Sequence, residues 1–264
     1  MLLLFTLIPL ALIGFVASEI NDDDDNATDQ ADIVQGSDEP ETFETGAGDD
    51  EVFAGGGNDL IDAGSGDDMV FGQDGSDVIF AGEGDDFVRG SDGSDDLNGD
   101  AGEDTLFGDA GDDTIFGADL FDNGALFDII AETGFFPSDT SPFFDVNGDP
   151  GEADTLNGGQ GDDDLIPGDN DVVSTGNGDD SLLLGDWIAG DDPDAAPVIT
   201  DFNPTQDSIL YFHEGDAPSD VAFGEEDDGG NLIIDGEVVA RFINTEFAAL
   251  NGEVITFVQL PGTL

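Results

Sequence analysis

The sequence predicts an all-β fold, a parallel β-roll followed by a C-terminal β-strand cap, and three observations carry that expectation. A nine-residue unit runs eight times without a slip from Thr45 to Phe116. Gly, Asp and an aliphatic residue hold fixed positions within every unit. From about Leu184 the repeat gives way to short apolar runs, PVITDF, DSILYF, NLIID and EVVARF, the last two joined by the hairpin signal Asp235-Gly236.

Composition says what must hold such a fold together. The 264 residues carry 65 Asp and Glu against Arg89 and Arg241, a formal charge of −63. Nothing is available to neutralise phosphates, so nucleic acid is excluded as a partner. Like charges a few Å apart cost about 1 kcal/mol each even when well solvated, so cations have to belong to the folded object. A hydrophobic content of 38% with 21 Phe separates the chain from acidic disordered tails. The absence of Cys rules out disulfides and thiol chemistry, which leaves metal as the staple.

The units are TGAGDDEVF, AGGGNDLID, AGSGDDMVF, GQDGSDVIF, AGEGDDFVR, GSDGSDDLN, GDAGEDTLF and GDAGDDTIF, spanning 45–116. Position four is always Gly: Gly48, Gly57, Gly66, Gly75, Gly84, Gly93, Gly102 and Gly111. Position six is always Asp: Asp50, Asp59, Asp68, Asp77, Asp86, Asp95, Asp104 and Asp113. Position eight is always aliphatic, from Val52 to Ile115. Glycine admits positive φ and close approach of the loop backbone. Asp supplies hard carboxylate oxygens of the kind Ca²⁺ takes in sets of six to eight. One inward aliphatic residue per strand gives a thin core of stacked Val, Ile and Leu. Loop and strand alternate every nine residues, so two units close one coil and units i and i+2 stack. Strict phase at position eight separates the pattern from a flexible Gly/Asp linker.

These units resemble the RTX, or hemolysin-type, calcium-binding nonapeptide repeat. The resemblance implies a right-handed parallel β-roll with Ca²⁺ between loops i and i+2, held by aspartate side chains and loop carbonyls. In this chain it pairs Asp50 with Asp68, Asp59 with Asp77, and so on to Asp95 with Asp113, giving up to six sites in this block. Two downstream units, GGQGDDDLI and TGNGDDSLL, add Asp163 and Asp180 as ligands; the intervening PGDNDVVS is one residue short, which puts its metal site in doubt. The thin core buries too little to offset chain ordering and carboxylate repulsion, so folding is expected to wait for calcium.

Around the repeats, residues 1–20, built on the uncharged apolar run LLLFTLIPLALIGFVA (2–17), read as a signal peptide or a membrane anchor. Either reading puts the acidic body outside the cytoplasm, secreted or held at the cell surface, with membrane contact only through this segment. Residues 21–44 are an acidic linker and an N-terminal capping coil, in which Asp32 with Val34 and Glu41 with Phe43 keep the phase but lack the glycines. Residues 117–148 form a Phe-rich insertion that either packs on one face of the roll or binds a partner. Its end, Asp145, Asn147 and Asp149, mimics an EF-hand start, but Pro150 stands where that loop needs Gly. Residues 149–183 make a second repeat block and 184–264 the β cap, whose VITDFNPTQDSILYF resembles the segment closing the roll in other RTX proteins. That family often exports through a C-terminal signal, which sits uneasily with an apolar N-terminus and leaves the export route open.

No catalytic constellation accompanies the repeats, so no enzyme is expected. His213 lacks the second His of a zinc-protease helix, and no G-x-S-x-G elbow is present. Phe at position nine (Phe53, Phe71, Phe80, Phe107, Phe116) stacks in ladders that shield the roll or offer a ligand face. The readings are then a calcium-loaded structural or cell-surface protein, a calcium-dependent module binding a polysaccharide or other cell-surface partner, or the RTX accessory part of an extracellular enzyme.

Overall fold

The structure, a computed structural model, describes residues 30–118, 152–186, 188, 194–213, 218, 220–226, 229–243 and 255–259. The apolar segment 1–20, nearly all of the Phe-rich insertion and the EF-hand-like stretch lie outside the described residues. Among those described, no helix is long and apolar enough to cross a membrane.

Successive strands alternate between two sheets. The first contains β1 (Ile33–Gln35), β3 (Glu51–Gly56), β5 (Met69–Asp74), β7 (Phe87–Asp92), β9 (Thr105–Ala110), β11 (Thr155–Gln160), β13 (Val172–Asn177) and β15 (Val198–Ile199). Beyond β15 the same sheet continues through β19 (Glu237–Ile243), β18 (Gly229–Ile234) and β17 (Val221–Glu226). The second contains β2 (Thr42–Glu44), β4 (Leu60–Ser65), β6 (Val78–Glu83), β8 (Asp96–Ala101), β10 (Thr114–Phe116), β12 (Asp164–Ile166), β14 (Ser181–Gly185), β16 (Ser208–His213) and β20 (Ile255–Gln259). Each repeat unit supplies one strand, and strand i pairs in parallel with strand i+2, so the fold is the parallel β-roll that the nonapeptide predicts.

Period-two alternation within each short strand sends position eight inward. Val52, Val70, Val88, Leu106, Leu156 and Val173 form one inward row and Ile61, Ile79, Leu97, Ile115, Leu165 and Leu182 the other, all with no exposed surface. Ala54, Ala63 and Ala81 at position one complete this narrow core. Positions seven and nine point outward. On the second sheet outward residues such as Leu60, Val78, Phe80 and Phe116 are buried, whereas the first sheet's outward side stays open, with Met69 42% exposed.

The chain leaves the roll after β10 and re-enters at β11 without losing register: Leu156 pairs with Leu106 and Leu165 with Ile115. At the C-terminal end the cap extends the roll instead of closing it as a separate lid. β15 and β16 add in parallel to β13 and β14, because Val198-Ile199 and Ser208-Ile209 repeat the outward-inward pattern without its glycines. Among the described residues the antiparallel pairs are β17 with β18 and β18 with β19, the latter joined through Asp235 and Gly236 at φ 51° and 96°, the left-handed pair a tight hairpin needs, while β19 also continues the parallel ladder from β15.

Candidate metal centre

The loops between strands bring the position-six aspartates into two rows, one along each edge of the roll. Each aspartate is fixed by its neighbour one coil on. The N–H of Asp50 donates to Oδ1 of Asp68 (2.7 Å), Asp68 to Asp86 (2.7 Å) and Asp86 to Asp104 (2.8 Å). On the opposite edge Asp59 donates to Asp77 (2.8 Å), Asp77 to Asp95 (2.8 Å) and Asp95 to Asp113 (2.9 Å). That second row crosses the insertion, from Asp113 to Asp163 (2.9 Å), and continues from Asp163 to Asp180 (3.0 Å).

One oxygen of each carboxylate is therefore committed to the backbone. The other is not: Oδ2 of Asp50, Asp59, Asp68, Asp77, Asp86, Asp95, Asp104, Asp113, Asp163 and Asp180 is buried without a hydrogen-bond partner. A buried anionic oxygen left unpaired costs several kcal/mol, and ten in one phase of a repeat call for a common counter-ion. Around five of them the space is kept by glycine. A Cβ added at Gly72, Gly90, Gly99, Gly108 or Gly158, all at position one, would run into Oδ2 of Asp77, Asp95, Asp104, Asp113 or Asp163.

Position-four glycines have a different cause. Seven of the eight in the first block, all but Gly93, lie at φ between 125° (Gly48) and 145° (Gly75, Gly111). From Gly66 onward, Gly93 included, a side chain there would also collide with the position-four carbonyl one coil below, as at Gly75 against Gly57 and Gly111 against Gly93. Loops stacked this closely leave no room for Cβ.

Without metal the rows are electrostatically strained. Burial, partly offset by the backbone hydrogen bond, pushes Asp59 and Asp104 up to about 8, Asp68, Asp113 and Asp163 to about 7, and Asp77, Asp86 and Asp180 to about 6. Asp95 rises furthest, to about 9, through burial first and the charge of Asp77 second. Among the described residues no three acidic or His side chains converge on one point. The arrangement is pairwise along a row, so a Ca²⁺ between two aspartates would complete its shell with backbone oxygens.

The ends of the rows differ in kind. Glu41 donates its N–H to Asp59, but its own Oε2 accepts from Ser37 N–H. Asp171, in the shortened unit, has Oδ1 on Asp154 N–H and Oδ2 on Gly168 N–H, so that loop satisfies itself. Asp207 takes Asn203 N–H and Thr175 Oγ1 on Oδ2 while Oδ1 receives Asp180 N–H. Asp154 and Asp207 are in-phase positions that the repeat pattern does not single out. Counting back nine from Asp163 finds Asp154, followed by Thr155-Leu156 in the strand pattern; its unit has Glu152 instead of Gly, and Oε2 of Glu152 accepts Gly102 N–H. Of the residues outside the rows, His213 is buried at the end of β16 and meets Phe257 edge to face, with centroids 6.5 Å apart.

A parallel roll with two rows of buried carboxylates defines a repeat-built β-roll with acidic loops as a class. Comparison with known families gives the particular one: the RTX calcium-binding nonapeptide repeat (4 copies) matches over 35–70, 62–96, 71–106, 89–122, 151–169 and 168–186, so the chain carries several copies of that repeat. No curated protein matches the sequence. Among solved structures, the extracellular lipase LipA from Serratia marcescens is similar at 11% identity and a TM-score of 0.28, over 88% of this chain and 39% of the lipase.

Proposed function

We propose that the protein is a secreted calcium-binding protein whose RTX roll folds when Ca²⁺ enters between stacked loops, and that it serves a structural or cell-surface role. The observation that carries this reading is the set of ten buried, unpartnered Oδ2 atoms confined to the two rows. Asp50, Asp68, Asp86 and Asp104 would hold ions along one edge, and Asp59, Asp77, Asp95, Asp113, Asp163 and Asp180 along the other. Bound calcium supplies positive charge and a shared coordination shell in place of mutual repulsion. The chain's own part is to aim each Oδ2 through the Oδ1 hydrogen bond and, at Asp77, Asp95, Asp104, Asp113 and Asp163, to keep its surroundings clear with glycine. Glu41, Asp171 and Asp207, already satisfied by the chain, act as stops that hold no ion. Neighbouring aspartates pair three times on the first edge and five on the second, so eight ions are expected.

High calcium outside the cell and low calcium within would keep the chain unfolded until export. Native mass spectrometry of the full chain in calcium, with circular dichroism in EDTA and then in millimolar CaCl₂, tests the reading. About eight ions and a coil-to-β change are expected; an unchanged spectrum or an ion-free folded species refutes it.

A further inference from the structure

The outward face of the first sheet carries a continuous apolar stripe. Across β3, β5, β7 and β9, Phe53 stacks on its register partner Phe71 (centroids 5.1 Å, planes 3° apart); Arg89 holds the matching place in β7, and Phe87, two residues earlier on the same face, meets both Phe71 (6.0 Å) and Phe107 (5.6 Å). All four rings are partly buried, neither in the core nor fully open, and Met69 beside them is 42% exposed. Further along the same face Ile33 and Val172 are also exposed. Among the described residues the outward apolar side chains of the second sheet's repeat strands, Leu60, Val78, Phe80 and Phe116, are buried, so within the repeats it is the first sheet that leaves its outward apolar side chains accessible.

We propose that this stripe docks a polypeptide surface with an apolar centre and a basic rim. Charge selects that occupant. The stripe runs between acids at the ends of its own strands, Glu51, Asp74 and Asp92, on a chain of net charge −63. Even with eight Ca²⁺ in place the charge stays strongly negative, which opposes a second copy of this chain, an anionic membrane or an acidic polysaccharide. The one cation within the stripe, Arg89, lies 5.8 Å over the Phe107 ring and is ion-paired with Asp109, so it offers nothing to an anionic partner. The rings also bar a sugar-stacking role at Phe53 and Phe71: each covers a face of the other and presents its edge outward. Basic groups paired with the acidic flanks would fix the register of the partner, and the apolar stripe would supply the buried area.

The inference rests on the calcium-folded roll proposed above, and the two fail separately. The test uses the full chain in CaCl₂ with an amphipathic Lys/Leu peptide as probe, followed by fluorescence anisotropy. Controls are its Glu/Leu counterpart and zwitterionic phosphatidylcholine vesicles, with circular dichroism of every protein reporting the fold. Phe71→Thr with Phe87→Thr is expected to weaken peptide binding at least tenfold while the calcium-induced spectrum is kept. Met69→Glu, at a position exposed enough to need no packing, is expected to do the same, and Asp74→Asn with Asp92→Asn to weaken binding severalfold. Equal affinity in wild type and the stripe variants, binding of the Glu/Leu peptide, or preferential sedimentation with the vesicles would overturn the docking proposal. A wild-type chain that stays unfolded in calcium would overturn the folding reading and this one with it.

Discussion

Replacing Asp95 by Asn separates the two roles of the row carboxylates, because it keeps the shape of the side chain and removes only the charge. Oδ1 would still accept the Asp77 N–H that it takes at 2.8 Å. In the folded, metal-free roll burial raises Asp95 to about 9 from 3.8. At pH 7 the unfolded chain is ionised, so folding has to bind a proton or bury a charge, at about 4 kcal/mol. Asn avoids that cost, but its amide nitrogen stands where Oδ2 was, unpartnered, and gives back about 1–3 kcal/mol. The metal-free roll is therefore stabilised by about 1–3 kcal/mol, taking the difference of those two terms. In calcium the sign reverses, since Asp95 is shared by the pairs with Asp77 and Asp113 and both lose an anionic oxygen. The assay has two arms. In EDTA at pH 7, the concentration of a protecting osmolyte needed to induce β signal should fall for Asp95→Asn. In calcium, native mass spectrometry should show one or two ions fewer. A variant that is harder to fold in EDTA, or that keeps the wild-type ion count, would show that Oδ2 of Asp95 is neither a burden without metal nor a ligand with it.

The same geometry yields other expectations. Gly75→Ala puts a Cβ onto the Gly57 carbonyl at φ 145° and should cost on the order of 3 kcal/mol or more, read as a large rise in the calcium midpoint of folding by circular dichroism. Ser91→Gly should do the opposite: Ser91 holds φ 90° where four other units of the first block place Gly46, Gly55, Gly64 and Gly82, and relief of that strain is worth up to about 1 kcal/mol, visible as a higher melting temperature in calcium. Leu106→Ala empties an inward position with no exposed surface and should cost about 2–5 kcal/mol, measured by urea unfolding in saturating calcium. In EDTA, pH acts through the raised row aspartates. Below about pH 4 folded and unfolded chains are both protonated there; between 4 and 9 the unfolded chain loses protons that the roll retains, so the metal-free roll weakens as pH rises. β signal in EDTA should thus grow on lowering the pH from 8 to 5, and a pH-independent spectrum would contradict the burial of these groups.

The roll is legible in the sequence because its causes are local. Position-four glycine, position-six aspartate and position-eight aliphatic residue each answer a constraint that recurs every coil, so eight repetitions expose the pattern. The ends are less legible because other chemistry takes over there. Glu152 replaces a loop glycine and accepts Gly102 N–H through its side chain, where an ordinary coil uses a position-three carbonyl, as Gly84 N–H does with Ala101. Asp207 belongs to a loop with Asn203 and Thr205 hydrogen-bonded to one another and no repeat glycine, so spacing alone does not mark it as the last member of its row. The continuation of both sheets past Leu184 is hidden for a related reason: parallel pairing needs only the outward-inward pattern of Ile199 and Ile209, and the conspicuous glycines belong to the metal loops.

The junction at the insertion shows what sets the register. Between Asp104 and Asp154, and between Asp113 and Asp163, the hydrogen-bonded partners are 50 residues apart where an unbroken coil has 18, yet the bonds are 2.8 and 2.9 Å long, as elsewhere. Register therefore comes from coil-to-coil stacking and not from chain continuity, as expected where each coil touches only its neighbours. The two edges do not cross this junction equally. Oδ2 of Asp113 and of Asp163 both stay unpartnered, so the second row passes through intact, whereas on the first edge Asp104 faces a loop remodelled by Glu152. The two repeat blocks are thus joined by sheet hydrogen bonds on both sides but by an unbroken row of carboxylates with unpartnered Oδ2 on one. On the proposed calcium reading, cooperativity between the blocks would pass along the Asp59 to Asp180 edge, with an ion between Asp113 and Asp163 joining two short rolls into one.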